Sequence, residues 1–172
     1  MRLPELIELS RPDFIVIDTI GPPGQRTFYL QAAQDDMLIT LIIEKEQAAA
    51  ISLAINGVLE KLEGADYEAE PVSMELIQPV NPLFRVGQLG LGYDEAQDML
   101  VITAEEIATE EQPQRTKVHI WGSRDQMATL ARQAALAVRS GRPVCPLCGE
   151  VINAGERHVC VRGNGRKHGR ET

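Results

Sequence analysis

Three cysteines and one histidine, Cys145, Cys148, His158 and Cys160, are spaced C-x2-C-x9-H-x-C, and the first 144 residues hold no cysteine at all. Thiolate sulfur and imidazole nitrogen are the donors a tetrahedral zinc ion takes, and four of them make a closed, structural site. Cys145-Pro-Leu-Cys148-Gly149 reads as a zinc knuckle, a tight turn that aims two sulfurs at one point. Gly149 lets the backbone take a positive φ just past the second thiolate. A disulfide framework fits less well, because the count is odd and the N-terminus has no apolar stretch of signal-peptide type. A redox pair usually follows a strand and opens a helix. Here the C-x2-C follows Ser140-Gly-Arg-Pro143, and a redox role leaves His158 and Cys160 without a task. A redox pair and unliganded thiols stay open as alternatives. A catalytic zinc would keep one position for water. The expectation is Zn2+ in a structural role.

The remaining chemistry-bearing residues form no catalytic set. Gly87-x-x-Gly90-x-Gly92 is glycine-rich, but a phosphate loop runs from a strand into a helix N-terminus, and this one runs into Tyr93-Asp-Glu and then another strand. These glycines read instead as relief of crowding or a bulge in a twisted strand. His119 alternates with Val118 and Ile120 and points away from the core beside Lys117 and Trp121. No carboxylate is placed to orient it as a base. There is no G-x-S-x-G. The acid pairs Asp35/Asp36, Asp94/Glu95 and Glu105/Glu106 read as turn and surface residues.

The elements that must position any site can be read from periodicity. Residues 14–17 are an apolar run, and Gly21-Pro-Pro-Gly24 signals a turn. Residues 27–32 alternate, with Phe28, Leu30 and Ala32 on one face. Asp35-Asp36 precedes a third strand over 37–43. Residues 46–62 carry Ile51, Ile55, Val58, Leu59 and Leu62 as a helical stripe. The order then recurs: strands over 84–91, 99–104 and 117–121, a capping box Ser123-x-x-Gln126, and a helix with Met127, Leu130, Ala131, Ala134 and Val138 on one side. The connector, residues 64–82, is expected to add a short strand at 74–77. The fold expected is α+β: two β-β-β-α repeats sharing one core as a pseudo-symmetric antiparallel sheet, with both helices packed on it. Residues 1–140 would form this domain, and 141–172 a zinc-knuckle tail too small to fold without its metal.

The charge is unevenly placed. The chain carries −8 overall, but residues 141–172 hold six basic and three acidic side chains, leaving −11 on the body. An acidic body repels nucleic acid and anionic lipid. No apolar run reaches the length of a membrane span, and the chain is expected to be soluble and cytoplasmic.

The stretches Gly21-Pro-Pro-Gly-Gln-Arg-Thr-Phe-Tyr-Leu-Gln-Ala32, Phe84-Arg-Val-Gly87, Ser140-Gly-Arg-Pro-Val-Cys-Pro-Leu-Cys-Gly149 and His158-Val-Cys-Val-Arg-Gly-Asn-Gly165 together resemble an uncharacterised bacterial family of conserved hypothetical proteins. The resemblance spans nearly the whole chain. Val161 stands where relatives usually carry proline. The resemblance implies no activity. It implies gene neighbours that look like a histidine phosphatase and a phosphoinositide kinase, and so a companion role beside them.

Three functions follow as expectations. The first is a non-catalytic, zinc-stapled module that binds a protein partner, with the products of those neighbouring genes as the candidates the resemblance implies. The second is an enzyme or small-anion binder using a cleft between the two repeats, lined by Gln25, Arg26, Tyr29 and Gln31. Arg26 leads that set because a guanidinium in an apolar hairpin suits a carboxylate or phosphate. The third, disfavoured by the acidic body, is nucleic-acid contact through the basic tail.

Overall fold

The computed structural model describes residues 5–22, 24–62, 75–111 and 113–139, Leu147, and the backbone of two short strands at 158–159 and 167–168. Its elements are β1 (Leu6–Leu9), β2 (Phe14–Ile20), β3 (Thr27–Gln34), β4 (Met37–Ile43), α1 (Lys45–Lys61), β5 (Phe84–Asp94), β6 (Met99–Glu106), β7 (Lys117–Gly122), α2 (Arg124–Arg139), β8 (His158–Val159) and β9 (Lys167–His168). The fold is α+β. Among the described residues, seven strands form one sheet in the order β1-β7-β6-β5-β4-β3-β2, and β8 pairs with β9 apart from it.

The sheet is mixed, which corrects the expected all-antiparallel arrangement. β2-β3-β4 and β5-β6-β7 are antiparallel meanders joined by turns. They meet through a short parallel pairing of β4 with β5, Leu41 opposite Phe84 and Ile42 opposite Arg85. A parallel neighbour needs a crossover connection, and α1 lies in the one between β4 and β5. β1 adds a second parallel pairing, along β7. The expected strand at 74–77 is not formed over its described part, residues 75–77.

The β1–β2 link forces the sheet to curl. These strands are the two edges of the seven-stranded order, yet only residues 10–13 separate them. A flat sheet would hold its edges about 29 Å apart, at roughly 4.8 Å per strand spacing. The five Cα steps from Leu9 to Phe14 reach at most about 18 Å. The edges therefore approach one another. One contact shows it, since a Cβ on Gly122 of β7 would stand 3.4 Å from Cδ1 of Ile15 on β2; the side-chain amide of Gln126 on α2 also donates to the carbonyl of Pro12 in the link at 2.9 Å.

The inner face of the curl is apolar by strict alternation. Ile15 and Ile17, Phe28 and Leu30, Leu41 and Ile43, Leu100 and Ile102, Val118 and Ile120 are buried in one cluster with the helix residues Ile51, Ile55, Leu59, Met127 and Leu130. The helices lie on this face and touch each other, the Ser52 hydroxyl donating to the Ala131 carbonyl at 2.7 Å. β5 changes parity on the way: Val86 is buried, Leu89 and Leu91 pack against the core, and the register slips between Val86 and Gln88. Gly87 sits in that bulge because a Cβ there would come within 2.9 Å of the Ile107 backbone. The glycines are thus strand residues, as the sequence suggested.

Both helices start on side-chain caps. Ser123 accepts from the Gln126 amide at 3.2 Å, and Gln126 accepts from the Ser123 N–H at 3.0 Å. Glu44 caps α1 in the same way, its N–H donating to Gln47 Oε1 at 2.8 Å.

Candidate functional site

A cleft of about 300 Å3 opens where β4 runs into α1, at the seam between the two meanders. Phe28, Ile42, Ile43 and Val138 give it apolar walls. Arg26, Lys45 and Arg85 bring three cations to it, and Glu44 and Glu46 two carboxylates.

Arg26 is delivered by the β2–β3 turn. Gly21 and Gly24 take positive φ there (117° and 86°), and a Cβ on Gly21 would stand 2.7 Å from the Gln25 carbonyl oxygen. The chain reverses between Ile20 and Thr27, which pair with each other, so Arg26 stands immediately before β3. The Arg26 Nη1 then donates to Thr19 Oγ1 at 3.1 Å across the hairpin. Its Nε is buried and finds no acceptor among the described residues. A guanidinium pinned at one nitrogen, with another buried donor unused, keeps hydrogen-bonding capacity in a place where water does not serve it.

Arg85 is delivered by the parallel pairing, which sets it opposite Ile42. Its Nη1 meets Glu44 Oε1 at 2.6 Å, with both side chains about half exposed (49% and 56%). Glu44 in turn stands at the head of α1, where the free amides and the helix dipole favour negative charge. The cleft therefore already gathers an anion, and that anion is a residue of the chain.

Of the four residues singled out in the sequence, Arg26 lines this cleft and Gln25, Tyr29 and Gln31 do not. Gln25 is exposed at the turn. Tyr29 and Gln31 lie on the outer face of β3, since Leu30 and Ala32 take the inner one. Gln31 is fully buried there under the segment that precedes β5. It donates to Thr40 Oγ1 and to the Ile77 carbonyl, both at 3.1 Å, and accepts from the Ile77 N–H at 2.7 Å. Arg85, Lys45 and Glu44 were missed. Their convergence depends on which strand lies beside β4, and hydropathy does not reveal that.

A second polar group stands at the β5–β6 turn. The Tyr93 hydroxyl donates to Asp98 Oδ1 at 2.7 Å, and Arg124 Nε donates to the same oxygen at 2.8 Å. The hydrogen bond from Tyr93, followed by that from Arg124, holds the Asp98 carboxyl below its ordinary range, and the bond to Asp98 raises the Tyr93 phenol above its own. Asp98 takes φ of 53°, so the trio fixes the turn to the head of α2. His119 lies on the outer face beside Trp121, whose Nε1–H donates to Glu8 at 3.1 Å.

Of the proposed zinc ligands, Cys145, Cys148 and Cys160 lie outside the described residues. For His158 the structure describes backbone pairing only, opposite His168. Among the described residues no three His, Cys, Asp or Glu side chains gather as metal ligands, and no helix is long and apolar enough to cross a membrane.

Residues 7–160 match the profile of the family described as Protein of unknown function (DUF3090), and the chain belongs to it. No curated protein and no solved structure matches the chain.

Proposed function

We propose that this member of the family is a non-catalytic binding module whose ligand is a small anion, held in the cleft at the head of α1. The observation that carries the proposal is Arg26: one nitrogen fixed to Thr19, a second buried and unpartnered, on a cleft that also holds Arg85 and Lys45. Arginine presents a planar fork of donors suited to carboxylate or phosphate. A volume near 300 Å3 lies at the small end of ligand pockets. Of the lining groups that could act as nucleophile or base, Thr27, Lys45, Glu44 and Glu46, Glu44 is engaged by Arg85, and we read the cleft as a binding site.

The duplicated β-β-β-α plan and the zinc-stapled tail belong to the same proposal as its scaffold. Element order supports the first. The C-x2-C-x9-H-x-C spacing supports the second, with His158 on a small hairpin strand.

The test is calorimetric titration of the full chain with inorganic phosphate and with acetate, repeated on Arg26→Gln. Saturable binding that is lost in the variant supports the reading. Equal binding by both proteins places the anion elsewhere and ends it.

A further inference from the structure

We infer that the cleft takes a small phosphate monoester, and that its phosphate displaces the Glu44 carboxylate from Arg85. This rests on the anion-binding reading and adds the ligand class and the exchange.

Glu44 is a resident competitor. Its carboxylate is tethered within the chain and already meets Arg85 at 2.6 Å, so it acts at a high effective concentration. A free monocarboxylate would offer Arg85 the same group while also losing its translational freedom on binding. It gains nothing over Glu44. A phosphate monoester differs in kind. It carries about −1.5 to −2 charge at neutral pH and three strong acceptor oxygens, enough to engage Arg85 and the Arg26 guanidinium, which both line the cleft. The exchange is easy on the protein side, because the Arg85–Glu44 pair is half exposed and such pairs contribute little to stability. Once displaced, Glu44 keeps its place as the cap of α1 through its backbone N–H to Gln47. The apolar walls, Phe28, Ile43 and Val138, suit an uncharged organic group on the ester.

Glu46 provides the control. It lines the same cleft and carries the same charge, but the ion pair to Arg85 is made by Glu44. General repulsion would make Glu44→Gln and Glu46→Gln alike. Displacement makes Glu44→Gln stand out.

The experiment is titration of the full chain and of Arg26→Gln, Glu44→Gln and Glu46→Gln with phenyl phosphate and with benzoate. The expected result is phenyl phosphate binding that Arg26→Gln loses and that Glu44→Gln tightens about threefold to fivefold, the scale of an exposed ion pair. Glu46→Gln should give less than half of that gain, and benzoate should bind at least tenfold more weakly than phenyl phosphate. If Arg26→Gln loses binding but Glu44→Gln matches the parent or Glu46→Gln, the exchange is overturned and the anion site stands. If benzoate binds as well as phenyl phosphate, the ligand class is overturned. If neither ligand binds any of the proteins, the anion-binding reading fails as well.

Discussion

Gln31 holds Ile77 by both ends of its side-chain amide: the Ile77 N–H donates to Oε1 at 2.7 Å, and Nε2 donates to the Ile77 carbonyl at 3.1 Å. One side chain thereby supplies the two hydrogen bonds that a neighbouring strand would have given that residue. The segment before β5 is fastened across the outer face of β3 and β4, and its path leads into the parallel pairing that sets Arg85 at the cleft.

Gln31→Leu removes both bonds to Ile77 and also the bond to the Thr40 hydroxyl, a buried group that loses this donor. The expected loss of stability is about 1–3 kcal/mol, with faster hydrogen exchange at the Ile77 amide. Because Gln31 faces away from the cleft, anion affinity of the folded variant should match that of the parent. Denaturant melts and exchange mass spectrometry check the first part, and unchanged exchange at Ile77 would contradict it.

The Tyr93–Asp98–Arg124 trio predicts a pH signature with two limbs. The Asp98 carboxyl is lowered by its bonds from Tyr93 and Arg124, so its contribution is present above the ordinary carboxylate range, near pH 4, and is lost as pH falls through the lowered value. The Tyr93 phenol is raised by its bond to Asp98, so its contribution is complete below about pH 10 and is lost as pH rises through the raised value. Asp98→Asn should flatten the acid limb of the stability profile and return the Tyr93 phenol toward its ordinary titration. Ultraviolet titration of the phenolate reads the second effect directly, and a Tyr93 midpoint unmoved by the substitution would contradict it.

The sequence predicts a zinc site of Cys145, Cys148, His158 and Cys160, and metal binding by so small a module is itself folding free energy, on the order of 10 kcal/mol. The purified chain should carry one zinc per molecule. Chelation or Cys148→Ser should raise hydrogen exchange in residues 141–172 while residues 14–140 keep their protection, since the curled sheet and its helices close a core of their own. Collapse of the whole chain on chelation would contradict this and join the tail to the main core.

Much of the scaffold was legible because its periods are clean. Phe28, Leu30 and Ala32 alternate, Ile51, Ile55 and Leu59 keep helical spacing, and Ser123 with Gln126 announces α2. The bulge at Gly87 was legible too, since a glycine inside an alternating strand marks a close approach. β1 was not. It has four residues, and the partner that makes it a strand, Lys117–Ile120, lies more than a hundred positions away. Residues 75–77 also misled, because their apolar pattern suited a strand while a side chain, Gln31, took the place of the ladder. For the site, Arg26 stood out through the turn around it. Arg85 and Glu44 become a pair only once β5 lies beside β4, and that is a property of topology that no local pattern encodes.

Anion binding by the Arg26 guanidinium can be read from its own side-chain resonance. In a 1H–15N spectrum of the full chain, the Arg26 Nε–H peak, assigned by its loss in Arg26→Lys, should shift saturably as inorganic phosphate is added, with a midpoint on the order of 1 mM, and the Arg85 peak should follow. The Arg139 peak, outside the cleft, should stay in place. An Arg26 peak that does not move while phosphate binds, or that moves in step with Arg139 without saturating, would show that Arg26 does not hold the anion.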